Sequence, residues 1–272
     1  MWGVFPFYFH IIGSYGIGAF ELVAHRAVWS VIWAAVLVVI GRQGNELTHI
    51  IRAPRTLAIL ALSTLAIFTN WTIYIASVTA GRVLETSLGY YINPLMNMAI
   101  GALFFHERMS LFGRTAIGFA VAGVALQGVA LGRVPLASIG LAASFCAYGV
   151  LRKRVRASAQ TGLFVECAIM VFPGIWCVMH LAQTSEGHFG HGAAITALLL
   201  STGLATVVPL ALFAIAARKL SLTTLGFLQF IAPTLQFICG ILLGEVLTPL
   251  RLVSFALIWM GVVLFSFRAR SG

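Results

Sequence analysis

Apolar runs of about 20 residues follow one another along this chain, each long enough to carry a helix across a hydrocarbon core of ~30 Å. One of them, Val83 to Arg108, reads Val-Leu-Glu-Thr-Ser-Leu-Gly-Tyr-Tyr-Ile-Asn-Pro-Leu-Met-Asn-Met-Ala-Ile-Gly-Ala-Leu-Phe-Phe-His-Glu-Arg. Near its centre stand Asn93 and Pro94. Proline removes a backbone donor and clashes with the carbonyl four residues back, so a helix here is predicted to kink or open. The run from Leu222 to Glu245 repeats the pattern: Leu225-Gly226 echoes Leu88-Gly89, Pro233 echoes Pro94, and Glu245 echoes Glu107. The register slips between the glycine and the proline, so the repeat is approximate. Proline-interrupted spans at matching places in two halves of a membrane chain point to a binding site for a transported solute.

Composition agrees with membrane residence. Hydrophobic residues make up 60% of the chain and charged residues 9%, with a mean hydropathy of +1.00. That is more apolar sequence than a soluble core of this size uses. Spanning strands would show alternating segments of about ten residues, whereas these runs are continuously apolar, which predicts an all-α polytopic membrane protein. The net charge of +10 does not indicate nucleic acid, because the basic residues sit in short clusters between the spans. Cys146, Cys167, Cys177 and Cys239 fall in or beside apolar runs without metal spacing and read as packing residues. No cofactor or metal site is expected. Aspartate is absent, so any acid–base work falls to glutamate and histidine.

Met1 to Ile12 is apolar and aromatic, without the basic start or small-residue cleavage site of a signal peptide. At roughly 18 Å as a helix it is too short to span, and reads as the back part of a truncated first helix. Further spans are predicted over 21–40, 56–79, 83–105, 111–131, 136–151, 161–183, 193–217, 222–244 and 250–267. A loop with Gly132-Arg133-Val134-Pro135 divides the chain, giving two repeats, 1–132 and 133–272. With the N-terminus in the cytoplasm, the inside segments hold Arg42, Arg52, Arg55, Arg108, Arg114, Arg152, Lys153, Arg154, Arg156, Arg218, Lys219, Arg268 and Arg270. The outside segments hold only Arg82, Arg133 and Arg251. This positive-inside asymmetry predicts that both termini are cytoplasmic. An odd number of spans per half then inverts the second repeat relative to the first.

Small residues are expected to let helices approach: Gly113, Gly118, Gly123, Gly128 and Gly132 in one span, and Gly240 with Gly244 in another. Polar groups within the spans mark the candidate sites, because burying them unpaired costs several kcal/mol, on the order of a lost hydrogen bond or more. Glu21 and His25 are spaced to share a helix face. Arg26 either snorkels or pairs structurally, or it meets an anionic or polar solute. Glu85 follows Arg82 closely and reads equally as an interfacial salt bridge or a gate. Asn70, Trp71, Tyr90, Tyr91, Asn93 and Gln229 gather around the interrupted spans, where freed carbonyls can join them. Glu166 reads as a lone carboxyl in hydrocarbon, either a proton carrier or a hydrogen-bonded structural group. Tyr148 reads as an interface aromatic, Pro209 as a further bend, and Glu107 and Glu245 as helix ends or latches. There is no His-Glu-x-x-His, no Gly-x-Ser-x-Gly and no phosphate-binding loop, so any driving force is an ion gradient, such as protons, or the solute's own gradient.

The stretches Glu-Leu-Val-Ala-His-Arg-Ala-Val-Trp-Ser (21–30), Asn70-Trp71, Glu-Thr-Ser-Leu-Gly-Tyr-Tyr-Ile-Asn-Pro-Leu (85–95) and Gly-Phe-Leu-Gln-Phe-Ile-Ala-Pro-Thr (226–234) resemble the RarD-type, chloramphenicol-sensitive permeases of the EamA family, in the drug/metabolite transporter superfamily. The resemblance covers essentially the whole chain. It implies ten transmembrane helices in two inverted five-helix repeats, a central cavity and residence in the bacterial cytoplasmic membrane. The expectation is a secondary transporter that moves a small metabolite or drug-like solute, by export, in alternating access. His25, Arg26, Asn70, Trp71, Tyr90, Asn93 and Gln229 would contact the solute. Glu166 is the first candidate for proton coupling and Glu85 the second, and Pro94 and Pro233 are the kinks. A membrane-embedded enzyme acting on lipid or isoprenoid substrates is the alternative, and a channel is disfavoured by the absence of a charge ring or carbonyl filter motif.

Overall fold

The computed structural model describes residues 1–104, 111–131 and 135–269. Glu107, Arg108, Gly132, Arg133 and Arg270, to which the sequence assigned loop or latch roles, lie outside the described residues. The described residues contain helices and no strands. After a 3-10 turn at Trp2–Val4 come α1 (Phe5–Ser14), α2 (Ala19–Ile40), α3 (Gly44–Ile51), α4 (Pro54–Thr79), α5 (Val83–Phe104) and α6 (Leu111–Leu131). They are followed by α7 (Leu136–Arg154), α8 (Ala159–Gln183), α9 (Ala193–Lys219), α10 (Leu222–Gln229), α11 (Ile231–Leu242) and α12 (Pro249–Ala269).

The helices begin and end where local chemistry allows. Proline stands at the first position of α4 and α12, where its missing N–H is one the helix does not need. Ser158 caps α8 by accepting the Thr161 N–H, and basic residues close α7 and α9, where they complement the helix dipole. The two proline-bearing runs differ. α5 runs unbroken through Pro94, whereas the second run divides at Phe230 into α10 and α11. Pro233 has no N–H to give the Gln229 carbonyl, so a rung of the helical ladder is missing at that division. α3 was not predicted; it falls in a stretch that the apolar runs left as a loop.

Among the described residues, four helices are long and apolar enough to cross a membrane: α2, α4, α8 and α9. Shorter apolar helices include Ile231–Leu242 and Pro249–Gly261. Many large apolar side chains on these helices face outward, among them Val39, Ile40, Leu65, Phe172 and Trp176. In water that would be costly, and in lipid it is not.

The chain forms two compact units, each drawing on both halves of the sequence. The first comprises Met1–Phe7, Ala80–Cys146 and Leu220–Gly272. In it α6 packs on α12, and α5 packs on α10 and α11. A Cβ on Gly123 would lie 2.6 Å from the Ser254 carbonyl oxygen, which shows how closely α6 and α12 approach. Its core is aromatic, with Tyr91, Phe230, Phe237 and Phe255 buried together and the Phe237 and Phe255 rings 4.1 Å apart. The second unit comprises Tyr8–Thr79 and Ala147–Lys219. There α2 packs on α8 and α9, and α4 packs on α8. A Cβ on Gly203 would fall 2.5 Å from the Trp29 carbonyl, so α9 lies directly against the α2 backbone.

Candidate functional site

In the second unit, α2 carries Arg26 into the interior, where it is 4% exposed. Its Nε donates to the Thr206 hydroxyl on α9 at 3.0 Å. Its guanidinium carbon lies 4.4 Å from the centre of the Trp71 ring and 5.3 Å from that of Phe9. A desolvated cation over indole is worth about 2 kcal/mol, so Trp71 and Thr206 fix the plane of the fork. Asn70, also on α4, is buried. The structure therefore brings Arg26 and Trp71 into contact.

His25 has different neighbours. The Trp29 indole N–H donates to its Nδ1 at 3.0 Å, which leaves the ring proton on Nε2. Phe189 stacks on the same ring with centroids 5.1 Å apart. Nε2 lies 3.9 Å from Glu21 Oε1, the pair expected from their spacing. The closer partner of Glu21 is one that sequence spacing could not reveal: the His188 backbone N–H donates to Oε1 at 2.6 Å, and Nδ1 of the same residue lies 2.8 Å from Oε2.

Glu166 is not a lone carboxyl. It is buried with Arg152, whose Nη1 lies 3.6 Å from Oε1. The Ser63 hydroxyl donates to Oε1, and the Tyr148 hydroxyl donates to Oε2 at 3.4 Å. Arg152, counted in the sequence as a loop cation, is 1% exposed, and Tyr148, read as an interface aromatic, is fully buried. The physical reason is a small residue. Arg152 leaves the last turn of α7 and folds over the first turn of α8, donating to the Ala159 carbonyl at 2.9 Å. A side chain at Gly162 would collide with its guanidinium.

In the first unit, Asn93 and Asn97 each donate from Nδ2 to the Gln229 side-chain oxygen at 3.1 Å. Asn97 lies one turn beyond Asn93 and was not singled out in the sequence; its i,i+4 spacing was the signal available. Two atoms of this amide cluster are buried without a hydrogen-bond partner, the acceptor Asn97 Oδ1 and the donor Gln229 Nε2. Tyr91 is tied on both sides, to Thr234 at 2.8 Å and to the Trp259 indole at 2.7 Å. Tyr90 meets Phe145 edge-on. Glu85 is buried, with Arg82 at 3.8 Å, and Ser138 donates to its carbonyl oxygen at 2.7 Å. Glu245, in the turn before α12, accepts the Leu84 N–H at 3.0 and 3.1 Å and so caps α5 from a distant part of the chain. Burial pushes its carboxyl above the ordinary range, while the Leu84 and Val83 N–H groups pull it back. Among the described residues no group of three or more His, Cys, Asp or Glu is placed to hold a metal.

No protein-family model matches the chain. An uncharacterized transporter of Vibrio cholerae is 40% identical over 98% of this chain and 88% of its own. Protein RarD of Escherichia coli K12 is 37% identical over 97% of this chain and 90% of its own. The chain belongs to the RarD family of permeases. A crystal structure of a protein 18% identical to it superposes with a TM-score of 0.72, over 99% of this chain and 94% of that one, which shows a shared fold. As a RarD-family chain with several membrane-spanning helices, it is a multi-pass membrane protein and a transporter. The names of its RarD relatives point to transport rather than enzymatic turnover.

Proposed function

We propose that this RarD-family protein is a secondary transporter that exports a small metabolite or drug-like solute across the bacterial inner membrane by alternating access. In this reading it has ten transmembrane helices in two inverted five-helix repeats, 1–132 and 133–272, with both termini cytoplasmic. The approximate proline repeat and the positive-inside asymmetry support that topology. Solute contacts are assigned to two clusters, each within its own unit. Arg26, Trp71 and Asn70 form one, suited to an anionic or polar group and an apolar face, with His25 beside Arg26 in the α2 sequence and assigned to the same solute. Asn93, Asn97, Gln229 and Tyr90 form the other.

The observation that carries the reading is the amide cluster, with a buried donor and a buried acceptor left unmatched. An unsatisfied buried polar atom costs about 1–3 kcal/mol, and a solute that offers both an acceptor and a donor would recover it. Glu166 is the first carboxylate assigned to proton coupling and Glu85 the second. A proton on Glu166 would leave the buried Arg152 facing a neutral acid, so the two charge states favour different arrangements.

The test is a solute panel on purified protein in liposomes, with and without a pH gradient. At least one solute should accumulate in response to the gradient, and Asn97→Ala or Gln229→Ala should raise its half-saturating concentration about tenfold. Glu166→Gln should abolish gradient-driven movement while leaving binding. Uptake equal to protein-free liposomes for every solute would overturn the transporter reading.

A further inference from the structure

One end of the second unit gathers basic residues with a single acid among them. The turn after α2, the helix α3 and the turn between α7 and α8 meet there. Ser158 donates its N–H to Glu46 at 2.6 Å and its hydroxyl to the Gln43 side-chain oxygen at 3.1 Å. Ile50 packs with Leu60, Val155 and Val165 beneath them. These contacts bring the chain at Arg42, Arg52, Arg55 and Arg156 to the same end, and all four side chains are exposed. Glu46 is the only acid in segments 41–55 and 152–158, and it is engaged with the Ser158 N–H. The four guanidinium groups thus lack a carboxylate from their own segments.

An apolar groove leads up to this end. It lies along the second half of α2, holds about 490 Å³ and is lined by Val31, Ile32, Ala35, Val36, Val39 and Ile40. Val39 and Ile40, at its upper limit, are 75% and 74% exposed, and Arg42 follows them two residues later. A groove of this kind suits an acyl chain, and a cluster of arginines suits a phosphate, which guanidinium can bind through two parallel N–H bonds. A free anion would leave the groove unused, and a neutral lipid would leave the arginines unmatched. A phospholipid with net negative charge answers both. In the proposed orientation this end meets the cytoplasmic leaflet, whose anionic lipids attract basic segments.

We propose that this end of the second unit binds an anionic phospholipid, with an acyl chain along the α2 groove and the headgroup phosphate among Arg42, Arg52, Arg55 and Arg156. The bound phosphate offsets the repulsion between like charges on α3, α4 and the α7–α8 turn, and so holds α3 in place against α4 and the turn before α8. Attraction of this kind is screened by salt, whereas the contact of the chain with the groove is not. The site is independent of which solute the protein carries, and of transport itself.

Lipid titration of the full chain in neutral detergent, read by native mass spectrometry, tests it. Phosphatidylglycerol and phosphatidylcholine with identical acyl chains are the probes. Phosphatidylglycerol should bind more tightly by about fivefold or more, and the preference should shrink as ionic strength rises. Arg52→Gln with Arg156→Gln should weaken phosphatidylglycerol by about fivefold per arginine removed and leave phosphatidylcholine unchanged. If that double variant does not fold, Arg55→Gln alone is read in its place. Ala35→Trp fills the groove and should weaken both lipids. Arg218→Gln with Lys219→Gln takes the same charge from the end of α9 and should change neither. Equal affinity for the two lipids, or equal weakening by the α9 variant, would mean diffuse surface charge and overturn the proposal. Full competition by glycerol phosphate, which has no acyl chain, or wild-type affinity in Ala35→Trp would overturn it in favour of a free-anion site.

Discussion

Arg152 and Glu166 show how one small residue can determine the fate of two charges. Without a Cβ on Gly162, the guanidinium lies over the start of α8 and its charge is matched inside the protein. Removing one partner of a buried pair costs about 3–5 kcal/mol, because the other is left charged and dry. Arg152→Gln should therefore destabilise by about that amount in a denaturant titration in mild detergent, and adding Glu166→Gln should restore most of it. If the two losses simply add, the residues are not coupled. Glu245 offers a pH test. Its folded form holds the proton more tightly than the unfolded chain does. It thus contributes stability that is present below the ordinary carboxylate range and is lost as pH rises through the folded value. Glu245→Gln keeps an acceptor for Leu84 and should flatten the change in melting temperature between pH 4 and pH 7. These pairings were not legible in the sequence. Glu166 lies far along the chain from Ser63, as does Glu21 from His188, and spacing rules reach only a helical turn.

At the scale of elements, the apolar runs located α2, α4, α6, α8, α9 and α12 to within a few residues, because a long continuous apolar stretch has one stable conformation in lipid. The runs missed α3, whose polar Asn45, Glu46 and His49 interrupt its short length. That helix is held by tertiary contacts, with Ile50 in a cluster with Leu60, Val155 and Val165 and Glu46 accepting the Ser158 N–H at 2.6 Å. The glycines also separate by context rather than by type. Gly203 and Gly123 sit at close helix crossings, whereas Gly118 faces open space. Gly203→Val should lower the melting temperature and the monodisperse yield, by overpacking worth about 1–3 kcal/mol, while Gly118→Ala should be tolerated. Equal effects at the two positions would contradict the observed packing of α9 on α2.

For the whole molecule, the proposed orientation makes a direct prediction. A fluorescent-protein fusion after the last residue should fold and fluoresce in the cytoplasm, and a periplasm-dependent phosphatase fused in the 184–192 segment should be active. The reverse pattern would invert the topology. By itself the sequence determined that the chain is a helical, multi-pass membrane protein, and its motifs suggested the permease family that the relatives then established. Those properties follow from local terms, the transfer free energy of each apolar run and the short strings of residues within it, which do not depend on what the rest of the chain does. The tertiary structure alone decided which charges are matched: Arg152 with Glu166, His188 with Glu21, and the Leu84 N–H with Glu245. It also showed which polar atoms, in Asn97 and Gln229, remain unmatched. Electrostatic and hydrogen-bond energies depend on distances of a few ångströms between residues remote in the chain, and those distances exist only once the helices have packed.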